Sequence, residues 1–244
     1  MDLQEFASGV QFRFPSSEQS APWRQLFLLA SPRFAPRTRY VLESLSTSLP
    51  EDGARLRARL SRLANIPRMS TYAIASIVNK SVREMNPEAM YVNVGVWNGF
   101  TFLAGLVGNP HRRAIGVDNF SAFGGPRDAF LRRFRALASP SHQFFDGDFR
   151  TYFRDVHRGP IGVYYFDGPH DYASQREALE LAEPFLEKGS VALVDDTNRP
   201  DPRRATLDFL AAQQGRYRLI FDRHSPWAEN PLWWDGLMIL RKES

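Results

Sequence analysis

Short runs of strand-forming residues alternate with helical patterns from about residue 89 to the end of this 244-residue chain. This alternation is typical of a parallel sheet wrapped by helices, because each parallel strand needs a long crossover before the next one. The helical pattern is clearest at 176–189, where Lys188 and Gly189 form a suitable end signal. The predicted strands are 89–96, 112–118, 142–146, 161–167, 190–195, 217–222 and 236–241.

The step into the last predicted strand differs from the others. Residues 222–235, DRHSPWAENPLWWD, contain two prolines and no apolar periodicity. A parallel crossover normally needs a dozen or more residues, usually helical, so the last strand is expected to return antiparallel beside its predecessor. The sequence therefore predicts an α/β fold of Rossmann type: a seven-stranded, mostly parallel sheet with the last strand antiparallel and helices on both faces.

The first part of the chain has a different pattern. Residues 1–88 contain helical patterns at 38–48, 53–65 and 70–86, and we predict a helical extension that precedes a main domain at 89–244. No internal repeat or flexible linker separates the two. The extension could pack on the sheet, cover the site, or join copies of the chain into a homo-oligomer.

Composition excludes several classes of site and location. The chain has no cysteine, which removes disulfides, thiolate metal sites and a cysteine nucleophile. The start lacks an export pattern, and the apolar run at 26–30 is too short to span a bilayer, so we expect a soluble, cytoplasmic protein with no membrane partner. The net charge is +4, and the arginines recur at helical spacing, which predicts solvated helix faces rather than a nucleic-acid surface.

A glycine loop follows the first strand of the main domain. In VNVGVWNGF, Gly95 and Gly99 bracket the turn, and Asp118 ends the next strand about twenty residues on. Glycines allow close approach of a ligand, and an acid at this distance can bind ribose hydroxyls. The spacing lacks the third glycine of a dinucleotide site, so an adenosine-bearing cofactor without a phosphate bridge, such as S-adenosylmethionine, fits better. Alternatively, these are turn glycines and a helix cap.

Three carboxylates follow two later strands. Asp167 ends the strand in YYFDGPHDY, and Asp195 and Asp196 end the strand in SVALVDDTN. The carboxyl ends of parallel strands meet at one edge of a sheet, so these acids should converge and repel unless a cation neutralises them. Mg²⁺ or a similar divalent ion is the simplest candidate. Alternatively, Asp167 starts a turn, and Asp195 and Asp196 cap the following helix.

These motifs also carry a family resemblance. The blocks at 91–107, 114–120, 144–153 and 164–197 together resemble the class I S-adenosylmethionine-dependent methyltransferases, in particular metal-dependent small-molecule O-methyltransferases of the macrolide-sugar and aminocoumarin type. The resemblance covers about residues 70–244, whereas residues 1–69 match nothing recognisable. It implies transfer of a methyl group from S-adenosylmethionine to a hydroxyl of a small molecule, assisted by a divalent metal ion.

The resemblance also implies roles for individual residues. His170, three residues after Asp167, has a near-neutral reference pKa and is the predicted general base, because Pro169 replaces the second acid of the family's usual D-G-D turn; alternatively, it is a surface residue or one that supports the metal ligands. Asn93 stands where the family usually has an acid, and it can still accept a hydrogen bond from the cofactor's amino group. The other implied cofactor contacts are Gly95, Gly99 and Thr101 at the methionine end, Asp118 at the ribose, Asp148 near the adenine, and Asp167.

The loop before the last strand carries Trp227, Trp233 and Trp234, which could form a wall against the acceptor, anchor the loop on the core, or bury against another subunit. Two other functions remain open. A non-catalytic cofactor-binding module in an assembly would explain Asn93 and Pro169, although the three acids argue against it. A nucleic-acid methyltransferase would need an extended basic groove, so nucleic acid is not the expected partner.

Overall fold

The computed structural model of the chain describes residues 1–13, 31, 33–51 and 53–244. The strands are β1 Gln11–Phe12, β2 Thr47–Ser48, β3 Met90–Val94, β4 Arg113–Asp118, β5 His142–Asp146, β6 Ile161–Phe166, β7 Leu186–Asp195, β8 Tyr217–Arg223 and β9 Leu237–Lys242. The helices are α1 Leu3–Ser8, α2 Pro36–Ser46, α3 Gly53–Leu60, α4 Tyr72–Glu84, α5 Phe100–Leu106, α6 Arg127–Leu137, α7 Phe149–Thr151, α8 Tyr172–Ala182 and α9 Pro200–Ala212. None of the described helices is both long and apolar enough to cross a membrane.

The main sheet has seven strands in the order β5-β4-β3-β6-β7-β9-β8. Strands β3 to β7 pair in parallel, and β9 inserts between β7 and β8, antiparallel to both. All seven predicted strands of the main domain are present, and the predicted reversal of the last one is confirmed. The predicted Rossmann-type α/β fold is therefore the observed one.

Side chains on the two faces of the sheet enter two separate hydrophobic cores. In β6, Val163 and Tyr165 join the core beneath α4 and α5, whereas Tyr164 and Phe166 join the core beneath α8 and α9. This alternation follows from the two-residue period of a strand. Because both faces are covered by helices, the ends of the strands are where the sheet can meet a ligand.

The N-terminal helices share the first of these cores. Leu3, Leu60 and Ile74 are buried in the same cluster as the sheet residue Tyr165. The three predicted helical patterns correspond to α2, α3 with its short 3-10 extension, and α4, and the capped helix α1 was not foreseen. The boundary at residue 88 and association of copies through these helices stay predictions.

One helix end was wrongly predicted. Lys188 and Gly189 were expected to end α8, but the helix ends at Ala182 and a 3-10 turn follows at Glu183–Phe185. Pro184 lacks the backbone N–H that another helical turn needs. Strand β7 therefore starts at Leu186, and Gly189, with φ +85°, lies where the β6–β7 register shifts.

Candidate active site

A cavity of about 690 Å³ lies at the carboxyl ends of the parallel strands. Residues at or just after the carboxyl ends of β3, β4, β5, β6 and β7 line it, including Gly95, Asp118, Asp148, Asp167 and Asp196. Its volume is within the roughly 300–1,000 Å³ typical of small-molecule sites. Open α/β sheets commonly bind ligands at this edge, so the location alone makes it the candidate active site.

Asp118 is held in the cavity wall by three backbone amides. Its Oδ2 accepts hydrogen bonds from the N–H groups of Val96 and Trp97, both at 2.8 Å, and its Oδ1 accepts one from Phe120 at 2.6 Å. The alternative of a helix cap is wrong, because α6 begins after Pro126. A carboxylate oxygen can accept more than one hydrogen bond, so Asp118 retains capacity for ligand hydroxyls.

The two glycines of the loop have different roles. Gly95 has φ +81°, and a Cβ there would lie 1.9 Å from the carbonyl oxygen of Asp167. Gly95 thus lets the loop after β3 touch the turn after β6. Gly99, with φ +93°, precedes α5, and a Cβ there would lie 2.8 Å from the Phe130 ring. Gly99 therefore serves helix packing and does not line the cavity.

The predicted cofactor residues divide into two groups. Gly95, Asp118, Asp148 and Asp167 line the cavity, whereas Asn93, Gly99 and Thr101 do not. Asn93 is fully buried: its Oδ1 accepts a hydrogen bond from the Tyr91 hydroxyl at 3.0 Å, and its Nδ2 donates to the carbonyls of Val94 and Gly95. Thr101 is buried within α5. The roles given to all seven stay predictions, and the cavity supports the first group.

Asp148 faces the cavity from the start of α7. Its side chain caps that helix by accepting a hydrogen bond from the Arg150 N–H at 2.8 Å, and the Arg150 guanidinium lies 3.5 Å from its second oxygen. The cap fixes the carboxylate beside Gly147 and Phe149, which also line the cavity.

Asp167, His170 and Asp196 form a cluster whose ligand atoms all lie within 4.8 Å of one another. His170 Nε2 is 3.1 Å from Asp196 Oδ2 and 3.8 Å from Asp167 Oδ1. Two carboxylates and an imidazole directed at one point are a plausible ligand set for a divalent ion. Asp196 reaches this position with a left-handed backbone, φ +56°, which costs energy for a residue other than glycine.

Asp195 was predicted to complete this set, and the structure places it elsewhere. Its Oδ2 accepts a hydrogen bond from the Tyr165 hydroxyl, and its Oδ1 accepts one from the Asp196 N–H at 3.0 Å. Successive side chains at a strand end diverge, so Asp195 turns into the core while Asp196 turns into the cavity. The alternative of a helix cap is also wrong, because Arg199 is the N-cap of α9.

The acids of this region repel each other. Burial raises the pKa of Asp167 well above its usual range, and the charges of Asp195, Asp196 and Asp118 raise it further. Burial and then Asp196 raise the pKa of Asp195 to about 8, and burial raises the pKa of Asp196 to about 6. Such crowding destabilises the ionised site, and a bound cation would relieve it.

His170 is neutral in this environment. Burial, and then the charge of Arg199, lower the pKa of its imidazole to about 4. Its Nδ1 is buried without a hydrogen-bond partner among the described residues. The neutral form is the one that binds metals, and so low a pKa makes the ring a weak base near pH 7.

The three tryptophans of the loop before β9 lie in different environments. Trp233 anchors the loop on the core: it is 1% exposed, packs against Phe12 and Phe221, and donates from Nε1 to the Arg223 carbonyl at 3.2 Å. Trp234 lines the cavity, with φ +56°. Trp227 is half-buried and does not line it.

Sequence reasoning missed several cavity residues. Trp97, Arg199 and Asp235 line the cavity, as do Arg33 and Met69 from the N-terminal part. Trp97 lies in the glycine loop but was not singled out, and the other four lie in no periodic pattern or recognised motif. The available signal for Asp235 was its place directly after the tryptophan pair and before Gly236.

Comparisons with known proteins agree with this geometry. A family model described as a methyltransferase domain matches residues 92–197, which span β3 to the end of β7. No curated protein sequence matches the chain.

Solved structures share the fold at low sequence identity. The O-methyltransferase TomG from Streptomyces achromogenes, involved in tomaymycin synthesis and solved with SAM, is 13% identical; the match covers 78% of this chain and 89% of that one, with a TM-score of 0.51. An O-methyltransferase from Bacillus cereus, in complex with SAH, is 15% identical, with 79% and 92% covered and a TM-score of 0.53. Cofactor-bound Rv0187 from MTB is 14% identical, with 93% and 100% covered and a TM-score of 0.58. The chain therefore matches a methyltransferase-domain model at residues 92–197 and shares the fold of these O-methyltransferases, in agreement with the resemblance.

Proposed function

We propose that this protein transfers a methyl group from S-adenosylmethionine to a hydroxyl of a small molecule, with the assistance of a divalent cation. One observation carries the proposal. A single cavity joins the amide-bound carboxylate of Asp118 to the cluster of Asp167, His170 and Asp196. A cofactor and a metal-bound acceptor could therefore meet in one cavity.

The part of the cavity near β3 and β4 suits the cofactor. Asp118 is fixed by three N–H groups and can accept hydrogen bonds from ribose hydroxyls. Gly95 and Gly147 present backbone without side chains. TomG and the Bacillus cereus enzyme were solved with SAM and SAH, and we extend that ligand class to this chain.

The acid cluster suits a divalent ion. Asp167 and Asp196 supply two negative charges, their pKa values are raised by burial, and neutral His170 supplies a nitrogen. Carboxylates are suitable ligands for Mg²⁺ and Mn²⁺. Because an imidazole also binds other transition-metal ions, the site could accept those ions as well. When bound, the ion would lower the pKa of an acceptor hydroxyl and orient it.

His170 is better placed as a ligand than as the predicted base. Nε2 is the atom that faces both carboxylates, so a ring nitrogen bound to the ion could not take up the proton of the acceptor. The chain's other contribution is positioning: Asp118 fixes the cofactor end, and Asp167 and Asp196 fix the acceptor end. Positioning supplies much of the rate for a displacement at an already activated methyl group.

The charge of the cavity supports a small-molecule acceptor over a nucleic acid. Eight acidic residues line it against two arginines, Arg33 and Arg199, although the whole chain carries +4. The phosphates of a nucleic acid would be repelled from such a cavity, because nucleic-acid binding depends on basic groups.

Unfolding measurements test both halves of the proposal. At a hundredfold excess over its dissociation constant, a ligand stabilises a protein by about 2.7 kcal/mol. S-adenosylhomocysteine and Mn²⁺ should each stabilise the wild type, and EDTA should cancel only the effect of Mn²⁺. Asp118→Asn should lose the response to the cofactor product, whereas Asp196→Asn should lose the response to the ion.

Asp128→Asn is the matched control, since this carboxylate is 84% exposed on α6 and lies outside the cavity. It should keep both responses. A wild type that responds to no cofactor product would sink the proposed function. If the wild type responded to the cofactor product but to no divalent ion, only the proposed role of the metal would be contradicted.

A further inference from the structure

Six residues of the cavity, which we call the acceptor face, belong to elements other than those that carry Gly95, Asp118 and Asp148. They come from the N-terminal part, the start of α9 and the loop before β9. The acceptor face consists of Arg33, Met69, Asp201, Glu229, Trp234 and Asp235.

Asp235 is rigidly placed in this face. It lies between Trp234, with φ +56°, and Gly236, with φ +89°. The Asn198 N–H donates to the Asp235 carbonyl at 2.7 Å, which ties the segment to the end of β7. The Asp235 Oδ1 accepts a hydrogen bond from the Glu229 N–H at 2.7 Å. Strained backbone that is held by its surroundings is a common feature of functional sites.

The carboxylate of Asp235 forms no ion pair with the described residues. Among the described residues, no Lys, Arg or His lies within 4.0 Å of it. The two arginines of the cavity lie closest to other acids: Arg33 is 3.9 Å from Glu229, and Arg199 is 3.8 Å from Asp196 and acts on Asp235 only from a longer distance. Asp235 is half-buried, so its lack of a cation costs more than it does for the exposed Asp201.

A carboxylate and a tryptophan that line the same cavity favour one kind of ligand group. An ammonium group can donate a charge-assisted hydrogen bond to the carboxylate and contact the aromatic ring through a cation–π interaction. An anionic group would be repelled by Asp235 and Glu229. A neutral group would leave the negative charge of Asp235 without compensation.

We propose that Asp235 determines acceptor specificity by binding a positively charged amine on the acceptor, so that the substrates are hydroxyl compounds that also carry an amine. This inference rests on the proposed function, because it assigns a group to the acceptor of the same cavity. Asp235 is a specificity residue here and takes no part in the displacement.

Three catechols of equal core structure test the inference. Dopamine carries an ammonium group, 4-methylcatechol is neutral, and 3,4-dihydroxyphenylacetate is anionic, while all three offer the same pair of hydroxyls to a metal. Calorimetric titrations are made into wild-type protein saturated with Mn²⁺ and S-adenosylhomocysteine. We expect dopamine to bind about tenfold more tightly than 4-methylcatechol, and the anion to bind most weakly.

Asp235→Asn should remove the preference for dopamine without changing the affinity for S-adenosylhomocysteine or Mn²⁺. Asp201→Asn, the matched change at an exposed acid of the same cavity, should keep the preference. Equal binding of the three probes, or no binding of any, with cofactor product and ion both bound would overturn the inference and leave the proposed function standing. Failure to bind S-adenosylhomocysteine would overturn both.

Discussion

Histidines at the two ends of the main sheet differ in their hydrogen bonds. At the amino end, both nitrogens of His157 are bonded: Nδ1 lies 2.7 Å from the Tyr152 hydroxyl and Nε2 lies 3.1 Å from the Gly159 carbonyl. His142 is also bonded at both nitrogens, to the Ser139 N–H and the Asn109 carbonyl. At the carboxyl end, the Nδ1 of His170 has no partner among the described residues.

This difference indicates that the amino end of the sheet contributes to stability, whereas the carboxyl end is adapted to bind a ligand. The hydrogen-bonded rings of His142 and His157 at the amino end lower the free energy of the fold. The crowded acids and the unpaired imidazole nitrogen at the carboxyl end raise it, and such an arrangement is expected where a ligand completes the site. The comparison predicts that substitutions at the two ends have opposite effects on binding and on stability.

The largest effect is expected for Asp196→Asn. The change removes a proposed ligand of the ion, so Mn²⁺ affinity should fall on the order of 100-fold or more, since even residues that only support metal ligands typically contribute about 10–100-fold. The unfolding free energy without metal should stay equal or rise, because the repulsion among Asp167, Asp195 and Asp196 falls. Calorimetry and urea unfolding measure the two quantities. A large loss of stability without metal would contradict the comparison.

A smaller and opposite effect is expected for His157→Phe. The change leaves the buried Tyr152 hydroxyl with only the weak acceptor Met90 Sδ at 4.0 Å, and the unfolding free energy should fall by about 1–3 kcal/mol. Binding of Mn²⁺ and S-adenosylhomocysteine should not change. His111→Phe, at an exposed histidine, is the control and should leave stability nearly unaltered. If His157→Phe weakened ligand binding, the division of roles between the two ends would fail.

The smallest effect is a pH dependence from the amino end. Burial lowers the pKa of both His142 and His157 below the usual histidine value. The unfolded chain then binds protons more readily than the folded one, so their stabilisation is present above about pH 6.5 and is lost as pH falls below it. Urea unfolding in EDTA from pH 7.5 to 5 should show a smaller decrease for His157→Phe than for the wild type. If the unfolding free energy fell equally with pH in both proteins, His157 would not be a source of the pH dependence.

Most of the sheet could be predicted from the sequence because strand positions depend on local patterns. Strand ends with acids were likewise visible, so Asp118, Asp167 and Asp196 were found as candidates. The end of α8 was wrongly predicted at Lys188 and Gly189, because Pro184 already prevents the helix from continuing. Contacts such as that between Tyr165 and Asp195 depend on the packing of neighbouring strands, which the sequence does not state.

Two pairs of identical neighbouring residues show most clearly what the sequence alone cannot predict about the site. In Asp195–Asp196 and in Trp233–Trp234, the first residue turns into the core and the second lines the cavity. In both pairs the second residue has φ +56°. The two residues of each pair are of the same type, and the backbone conformation decides which of their side chains reaches the cavity. For this reason the sequence could not show that Asp195, unlike Asp196, lies outside the cluster of Asp167, His170 and Asp196.

Anomalous scattering from a crystal of the protein with Mn²⁺ and S-adenosylhomocysteine would test the central claim most directly. We predict one strong Mn²⁺ peak within about 2.0–2.6 Å of Asp167 and Asp196 carboxylate oxygens and His170 Nε2, with the adenosyl group at Asp118 in the same cavity. A peak that involves Asp195 but not His170, or no peak at this edge of the sheet, would contradict the account.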